Sequence, residues 1–449
     1  MNKSVTYLTL PFILACAACS QSSAPVNESD ALGTMVAATM AAQSTPVPPT
    51  EADITESTVQ IAATPKSEPP THHETSMQEF LLAYTYEGDL WIRKPDGSGE
   101  QLTSNGDVVD VLLSEDRSLV VYARLSAQSY EFELRAIRLD GGDDRQIISQ
   151  ETLDSLYPLD EALHFQISQV EFIPGSHSLL FNTRATYDAP GSLKNDDLYL
   201  LNVDTGELSL VLSRQQGGDF FISPDGEKLA ISRADSISMA SIDGSGLSTN
   251  LVTFQPIITY SEYRYYPVIV WAPGSTQVGV FIPSADPLAD EPSGTVWIIP
   301  VEGEPRSFPP ISGQAFFPQT NGNSLLSPDM QSVAILREGG AGQATMLVLS
   351  DPDGSNSRPY AQGDIQWIGW NSDGSHFAFR RDNATIVLGS PQADPQPLAS
   401  GRSLRWVASD LYVAQAGQRG NWSLMLGNIN GTASLLLQLS SESLLYDLR

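Results

Sequence analysis

Two short polar turns recur along most of the chain, and they constrain its fold more than any other feature of the sequence. The first turn is typified by Ser-Pro-Asp-Gly at 223–226 and precedes an apolar run such as 228–232. The second is typified by Asp-Gly-Ser-Gly at 243–246 and follows later in each unit. Pro pre-sets φ, Asp bonds to its own backbone and Gly takes positive φ, so both patterns indicate tight turns between strands. Each unit therefore contains four strands, joined as strand, tight turn, strand, loop, strand, tight turn and strand.

The four-stranded unit repeats regularly. Its first strands recur about 49 residues apart, with predicted starts near residues 107, 167, 218, 266, 323, 364 and 402. A four-stranded unit with a period of ~40–50 residues is typical of a β-propeller. The unit at 81–103 lacks a first strand, whereas the strand at 442–448 is left over. We therefore predict an all-β fold, with a single propeller of about eight blades over 78–449 that is closed by the C-terminal strand. Seven blades is the alternative, because the stretch 314–330 fits either count.

The beginning of the chain has the features of an export signal. Lys3 is followed by an apolar run of 11 residues at 5–15, which is too short to span a bilayer. The run leads into Ile-Leu-Ala-Cys, which resembles a bacterial lipobox. Residues 1–19 are therefore predicted to be a lipoprotein signal peptide, with Cys16 as the lipidation site and Cys19 as the alternative.

The segment that follows has the composition of a tether. Residues 20–77 are rich in Ser, Thr, Pro and Glu, and such a sequence cannot bury enough apolar area to offset its chain entropy. We predict that it is disordered and links the propeller to the membrane. The protein is then expected outside the cytoplasm, in the periplasm or at the cell surface, and attached to the membrane through its lipid alone.

The turn pattern also carries a resemblance to a known family. The Ser-Pro-Asp-Gly turn, the apolar strand after it and the later Asp-Gly turn resemble the WD-like repeats of TolB-like propellers. The match covers most of residues 80–440 and implies the fold far more than a function. The chain departs from the TolB pattern, because it has a lipobox and a tether in place of an N-terminal α/β domain. It is similar to a bacterial TolB-like lipoprotein, and no role in the Tol system is implied.

The charge of the chain restricts its partners. The 449 residues include 53 Asp and Glu against 24 Lys and Arg, a formal net charge of −29. Nucleic-acid binding requires clustered basic residues, so we expect no nucleic-acid partner. The two Cys both lie before residue 20, which excludes a disulfide scaffold or a thiolate metal site in the propeller.

The strand order assigns the connections to two faces. The tight turns lie at one rim, while the loops between second and third strands share the opposite face with the crossovers between units. The longer predicted connections are all on this second face, at 150–165, 184–197, 255–266, 283–295 and 312–322. Loops that a rigid scaffold positions commonly carry binding sites, so we predict that this long-loop face is the binding surface.

A tyrosine-rich segment at 260–266 is the best candidate site on that face. Tyr and Arg offer large contact areas with polar tips and are enriched at interface hot spots. The predicted binding residues are Tyr157, Tyr187, Tyr260, Tyr263, Arg264, Tyr265, Tyr266, Asp286 and Asp290. An alternative is that Tyr266 packs at the start of a first strand and that about two of the four Tyr are buried. Further acids would place carboxylates beside the tyrosines: Asp196, Asp197 and Glu291. That setting is compatible with a divalent cation such as calcium, but the sequence indicates no cofactor.

Motifs for catalysis are not evident in the sequence. A serine peptidase needs a Gly-x-Ser-x-Gly elbow and a helical hydrolase domain, for which the chain has no room. His164, His177 and His376 are dispersed, so no zinc site is predicted, and the two beside tight turns are expected to be solvated. We therefore predict a non-catalytic binding or scaffold protein that engages a protein or a cell-envelope glycan. The alternative is an enzyme of glycoside hydrolase or lyase type acting on extracellular polysaccharide, with two or three carboxylates at the central channel.

Overall fold

Nearly all regular structure in the described part of the chain is β-strand. The computed structural model describes residues 80–449 apart from 127–131, 161, 189–191, 258–263, 287–288, 314–322, 338–343, 383, 419–420 and 440–443. Within these residues the regular elements are 32 strands and one five-residue helix. The prediction of an all-β fold is confirmed.

The first four sheets occupy the N-terminal half of the described chain. The first contains β1 (Leu82–Tyr86), β2 (Asp89–Arg93) and β3 (Gly99–Gln101), and the second contains β4 (Val108–Leu113), β5 (Leu119–Leu125), β6 (Phe132–Arg138) and β7 (Arg145–Ser149). The third contains β8 (His164–Phe172), β9 (Ser178–Thr186), β10 (Ser192–Lys194), β11 (Leu198–Asn202) and β12 (Leu208–Leu212). The fourth contains β13 (Asp219–Ile222), β14 (Lys228–Ser232), β15 (Ser236–Ser241) and β16 (Ser248–Thr253). The helix α1 (Gln150–Asp154) lies between the second and third sheets and is capped by Ser149, whose hydroxyl accepts from the Thr152 N–H.

Three more sheets complete the described strands. The fifth contains β17 (Ile269–Trp271), β18 (Gln277–Pro283), β19 (Ser293–Pro300), β20 (Arg306–Ser307) and β21 (Ile311–Ser312), and the sixth contains β22 (Val333–Arg337), β23 (Thr345–Ser350) and β24 (Arg358–Gly363). The seventh contains β25 (Ile365–Trp370), β26 (Phe377–Arg381), β27 (Thr385–Ser390), β28 (Ala393–Trp406), β29 (Leu411–Gln418), β30 (Asn421–Asn428) and β31 (Ala433–Leu439). The long β28 pairs with β27 through its first half and with β29 through its second half. It therefore ends one four-stranded group and begins the next.

Burial within each sheet follows the position of the strand. Second strands such as β5 and β14 are almost wholly buried, because both of their faces pack against neighbouring sheets. Fourth strands such as β12 and β16 are largely exposed, with few buried positions. Stacked sheets with an exposed outermost strand are the arrangement expected of propeller blades.

The tight turns are stabilised by their own side chains. In three first-to-second-strand turns the Ser hydroxyl donates to the Asp two residues later, at 2.7, 2.5 and 2.5 Å, in the pairs Ser114–Asp116, Ser223–Asp225 and Ser327–Asp329. The same Asp accepts a backbone N–H two residues further on, as Asp225 does from Glu227 at 3.0 Å. Gly226 takes a φ of 76°, which a residue with a Cβ adopts only at a cost.

One predicted turn residue has a larger role than was expected. His177 connects turns of different sheets: its Nδ1 lies 2.9 Å from Asp204 and its Nε2 lies 3.1 Å from Asp116. Only about a quarter of its side chain is exposed, at 25%. The expectation of a solvated turn residue was therefore wrong for His177, because the neighbouring sheet brings a second acid to its ring.

Tryptophans connect consecutive four-stranded groups through their indole N–H groups. Trp271 donates to the Phe221 carbonyl at 2.8 Å, and in the next pairs Trp370 donates to Leu325 at 2.9 Å and Trp406 to Gly369 at 3.1 Å. Each bond links the first strand of one four-stranded group to the preceding group. The carbonyl that accepts it lies in the first strand of that preceding group or in the residues where such a strand would lie. Packing between sheets therefore accounts for these three rings.

The last strand of the chain lies in the first sheet. β32 (Tyr446–Leu448) pairs antiparallel with β1, with Leu82 opposite Leu448. The fully buried Asp447 accepts from Arg405 at 2.5 Å and from the Leu113 backbone N–H at 2.9 Å. The first and last described strands are thus paired with each other, and Asp447 connects β32 to β28 and β4.

Candidate functional site

The connection between β9 and β11 places two consecutive aspartates at the long-loop end of the third sheet. Asp196 is 7% exposed and Asp197 is fully buried. Asp196 has a left-handed backbone conformation with φ of 51°, which Asp and Asn tolerate better than most residues. The two carboxylates consequently have different partners.

Asp196 lies in one connection of the long-loop face and contacts residues of two others. Its Oδ1 accepts a 2.7 Å hydrogen bond from the hydroxyl of Tyr266, in the crossover between the fourth and fifth sheets. Its Oδ2 lies 4.0 Å from Nε of Arg233, which directly follows β14. Burial raises the pKa of Asp196 by more than the Tyr266 hydrogen bond and the Arg233 charge lower it. The charge of this carboxylate is therefore only partly compensated.

Lys194 brings a cation to the same place. Its ammonium bonds Asp219 Oδ1 at 2.5 Å and lies 4.2 Å from the centre of the Tyr266 ring. An ammonium over an aromatic face is attracted by the ring quadrupole. We refer to Lys194, Asp196, Asp219, Arg233 and Tyr266 as the loop-face cluster.

Asp197 faces the interior of the third sheet. It accepts from the Thr183 N–H at 2.7 Å and from the Thr183 hydroxyl at 2.5 Å. Burial raises its pKa, whereas the bonds from Thr183 and the nearby Tyr157 hydroxyl oppose that rise. Gly217 fits closely behind it, since a Cβ there would lie 2.4 Å from the Asp197 carbonyl group. The backbone of the crossover is thereby held against the backbone of Asp197.

Tyr157 and Tyr187, both predicted binding residues, are half-buried and pack on the hydrophobic core of the second and third sheets. The ring of Tyr157 meets Phe165 edge-on at 5.9 Å, and the guanidinium carbon of Arg214 lies 3.7 Å from its centre. Tyr157 therefore contributes to the support of the loops.

Residues of the tyrosine-rich segment at 260–266 differ in how far they are buried. Tyr260 and Tyr263 lie outside the described residues. Tyr266 is 8% exposed and Tyr265 packs on the core of the fourth and fifth sheets, which is the alternative that the sequence left open. Arg264 is exposed. Tyr266 thus contacts Asp196 and Lys194 on the long-loop face.

Two of the other predicted acids are exposed: Asp286 and Asp290 lie in the connection between β18 and β19. Among the described residues, no three His, Cys, Asp or Glu side chains gather as metal ligands would. None of the helical structure in the described residues is long and apolar enough to cross a membrane.

Three exposed leucines on this face were not predicted from the sequence. Leu159 and Leu163, which are 36% and 49% exposed, belong to the crossover before β8, and Leu193, at 43%, belongs to β10. Leu163 N–H donates to the Thr186 carbonyl at 2.8 Å, and β10 pairs with the same end of β9. We call these three residues the leucine patch. Their only sequence signal was a large apolar side chain in an otherwise polar loop.

A cavity of about 420 Å³ lies among the first strands of the sheets. β8, β13, β17, β25 and β28 all line it, so these strands surround a common space, as inner strands of a propeller do. Its described lining includes a single carboxylate, that of Glu171, and three guanidiniums, those of Arg380, Arg402 and Arg405. That composition differs from the carboxylate pair expected of a glycoside hydrolase.

Comparison with known proteins indicates fold-level similarity only. No family model and no curated protein matches the chain. A crystal structure described as the eukaryotic initiation factor is 12% identical, with a TM-score of 0.46, over 83% of this chain and 98% of that one. The β-propeller domain of the Trilobed protease from Pyrococcus furiosus is 12% identical, with a TM-score of 0.42, over 75% and 99%. TolB from Acinetobacter baumannii is 16% identical, with a TM-score of 0.29, over 63% and 64%. At these values the similarities carry no argument about function.

Proposed function

We propose that this chain is a non-catalytic binding protein that engages a protein partner through its long-loop face. The observation that carries the proposal is the leucine patch, which exposes three large apolar side chains in adjoining loops. Scattered exposed leucines are ordinary, but several together on one face are typical of interaction surfaces. Apolar branched side chains favour a protein over a cell-envelope glycan, which was the other partner considered.

The loops that bear the patch are held in place before any partner arrives. Tyr266 with Asp196 connects the third sheet to the crossover before the fifth, and Lys194 with Asp219 connects the third sheet to the fourth. Arg214 adds a 3.0 Å bond to Asn195. Fixing loops in advance lowers the entropy cost of association, so this network supports a binding role.

We infer that the propeller is a closed ring of eight blades. The support is twofold: β28 divides the seventh sheet into two four-stranded groups, and β32 pairs with β1. A ring closed in this way leaves no free edge at its first blade.

We also propose that the protein is exported and lipid-anchored, with Cys16 acylated and residues 20–77 as the tether. The lipobox-like sequence supports this proposal, and Cys19 is the alternative site. Labelling cells with an alkyne fatty acid should mark the native protein and the Cys19→Ser variant but not Cys16→Ser. Equal labelling of both variants would contradict Cys16 as the site.

The enzymatic alternative has no observation in its favour. The described lining of the central cavity contributes Glu171 as its carboxylate, whereas the hydrolysis of a glycosidic bond commonly uses two. Asp196 and Asp197 are both buried, and each receives hydrogen bonds from protein donors.

Affinity capture from the native envelope tests the binding proposal. The full-length protein should retain a partner that the triple variant Leu159→Ser, Leu163→Ser, Leu193→Ser loses at least tenfold. The matched control is Leu210→Ser with Leu435→Ser, which changes leucines 54% and 52% exposed on outer strands. Retention of the same partner by all three proteins would show that the leucine patch is not the contact surface.

A further inference from the structure

The two segments that carry the leucine patch are acidic. They are residues 150–165 and residues 185–193, and neither contains a Lys or an Arg. Their acids number five: Glu151, Asp154, Asp160, Glu161 and Asp188. The one His of these segments, His164, bonds Asp154 at 2.9 Å. A partner that covers the leucines therefore meets segments whose fixed charges are negative.

Leu193 lies at the exposed end of a row of core side chains. In the strand register Phe165 and Leu193 both lie opposite Ala185, so the three side chains share one face of the third sheet. Phe165 and Ala185 are buried, whereas Leu193 is 43% exposed. Leu193 therefore continues the core row to the surface, where a partner can cover it.

The other two leucines lie at the same end of this sheet. β8 and β10 both pair with β9 at Thr186, so they flank that end of β9 and lie about 10 Å apart. Leu163 directly precedes β8. The Ala162 N–H donates to the Leu159 carbonyl at 2.6 Å, in a turn that brings Leu159 within about 7 Å of Ala162. The three leucines are therefore gathered at one end of the third sheet.

The two basic residues that adjoin the segment 185–193 lie on the other face of the sheet. Arg184 and Lys194 are opposite each other in β9 and β10, next to the pair formed by Ala185 and Leu193. Because successive side chains of a strand point to opposite faces, Arg184 and Lys194 point away from the face of Leu193. They therefore do not neutralise the acids on the side that Leu193 presents.

We propose that the partner segment that covers the leucine patch is cationic and amphipathic, with apolar and Lys or Arg side chains on one face. This inference rests on the proposed function, because it concerns the same surface. Leucines at the centre require apolar contact. Asp160, which follows Leu159, and Asp188, which lies beyond the Thr186 end of β9, are exposed and favour positive charges at the rim. The net charge of −29 attracts such a segment and repels an acidic one.

Binding of two synthetic peptides to the full-length protein tests this inference. Both peptides are amphipathic helices with Leu at positions i, i+3, i+4 and i+7, and the other positions are Lys in one peptide and Glu in the other. At physiological ionic strength, charges more than ~8 Å away are largely screened, so the acids beside the leucines dominate the dependence on charge. Fluorescence anisotropy of the labelled peptides should show that the Lys peptide binds at least tenfold more tightly than the Glu peptide.

Variants of the full-length protein show which acids are responsible. The double variant Asp160→Asn, Asp188→Asn should weaken binding of the Lys peptide at least fivefold, and Asn tolerates the left-handed backbone of Asp160. The matched control Glu302→Gln, Glu304→Gln removes two exposed acids from the tight turn between β19 and β20 and should bind as the native protein does. The inference is overturned if the Lys peptide binds no more tightly than the Glu peptide, or if the two double variants bind it equally.

Capture from the native envelope separates this inference from the proposed function. A partner that is lost by the triple leucine variant and weakened by Asp160→Asn, Asp188→Asn would support both. A partner that is lost by the triple leucine variant but retained in full by the double Asn variant would support the proposed function and overturn the cationic partner. If the leucine changes release no partner, the proposed function fails, and this inference fails with it.

Discussion

Buried aspartates occur in two regions of the molecule, and their surroundings differ. One region is the junction at which β32 pairs with β1, and the other is the long-loop face. At the junction, burial favours the neutral form of Asp447, but the charges of Arg405 and Arg449 outweigh it and hold its pKa below the ordinary value. On the long-loop face, burial prevails, and the pKa values of Asp196 and Asp197 are raised.

The two regions differ in how fully the aspartate charge is compensated. Asp447 belongs to a structural ion pair, whereas Asp196 belongs to the candidate site. Asp447 receives two guanidiniums and two backbone N–H groups, at distances of 2.5 to 3.4 Å. Asp196 receives one hydroxyl, and its nearest guanidinium nitrogen is 4.0 Å away. Proteins commonly accept incomplete charge compensation where function requires it, and seldom where the fold depends on it. The comparison therefore predicts opposite responses when each charge is removed.

The largest effect is expected from Asp447→Asn. This change leaves the Arg405 guanidinium without its carboxylate in a buried site, which typically costs about 3–5 kcal/mol of unfolding free energy. Urea denaturation measures the loss. The control Asp143→Asn breaks an exposed pair with Arg145 and should cost less than about 1 kcal/mol. A loss for Asp447→Asn no larger than that of the control would show that the junction does not depend on its charges.

Asp110 should make the junction sensitive to pH. Burial and the neighbouring Asp447 charge raise the pKa of Asp110 to about 7, against the effects of the Val111 N–H and Arg405. A raised carboxyl pKa means that the folded state binds the proton more tightly. Its contribution to stability is therefore present below about pH 4 and is lost as the pH rises to about 7. The loss across this window is on the order of 2–4 kcal/mol.

Asp110→Asn removes that dependence. Urea midpoints measured from pH 4 to pH 8 should fall for the native protein by more than for the variant, and the variant should be the more stable of the two at pH 8. Parallel profiles would show that Asp110 does not titrate in this range. Asp143→Asn again provides the control, and its profile should follow that of the native protein.

The tight turns could be predicted from the sequence because their contacts are local. The Ser223 hydroxyl reaches Asp225 two residues away, and the Lys228 N–H reaches Ser223 five residues away. Each turn thus contains its own stabilising groups, and repetition of the pattern revealed the four-stranded unit. The predicted starts of the first strands consequently lie close to those of β4, β8, β13, β17 and β25.

The site could be predicted only in part, because its contacts join distant residues. Tyr266 bonds Asp196 across 70 positions, and no local pattern distinguishes this buried tyrosine from an exposed one. The sequence singled out Tyr266 and Asp196 but did not indicate that the two are buried and bonded to each other.

A smaller effect on stability is expected from Asp196→Asn. Asn tolerates the left-handed backbone, keeps an acceptor for Tyr266 and removes a poorly compensated buried charge. Stability should remain within about 1 kcal/mol of the native protein. Capture of the partner should fall several-fold, because Arg233 loses a neighbouring carboxylate charge and Tyr266 then donates to a neutral oxygen. Asp235→Asn is the control, since Asp235 is an exposed acid 3.8 Å from the same Arg233. A loss as large as that of Asp447→Asn would remove the distinction between the two regions.

The smallest effect is expected at the tight-turn rim, where charges are compensated but exposed. Burial lowers the pKa of His177, but Asp204 and Asp116 outweigh it, so the pKa is raised above 6.5. The stabilising contribution is therefore complete below pH 6.5 and disappears as the pH rises through the folded-state value. Both acids are more than half exposed, so solvent screening limits the contribution to about 1 kcal/mol or less. His177→Gln should lower the urea midpoint slightly at pH 6 and not at pH 9. A loss of the same size at both values would show that His177 acts through packing and neutral hydrogen bonds alone.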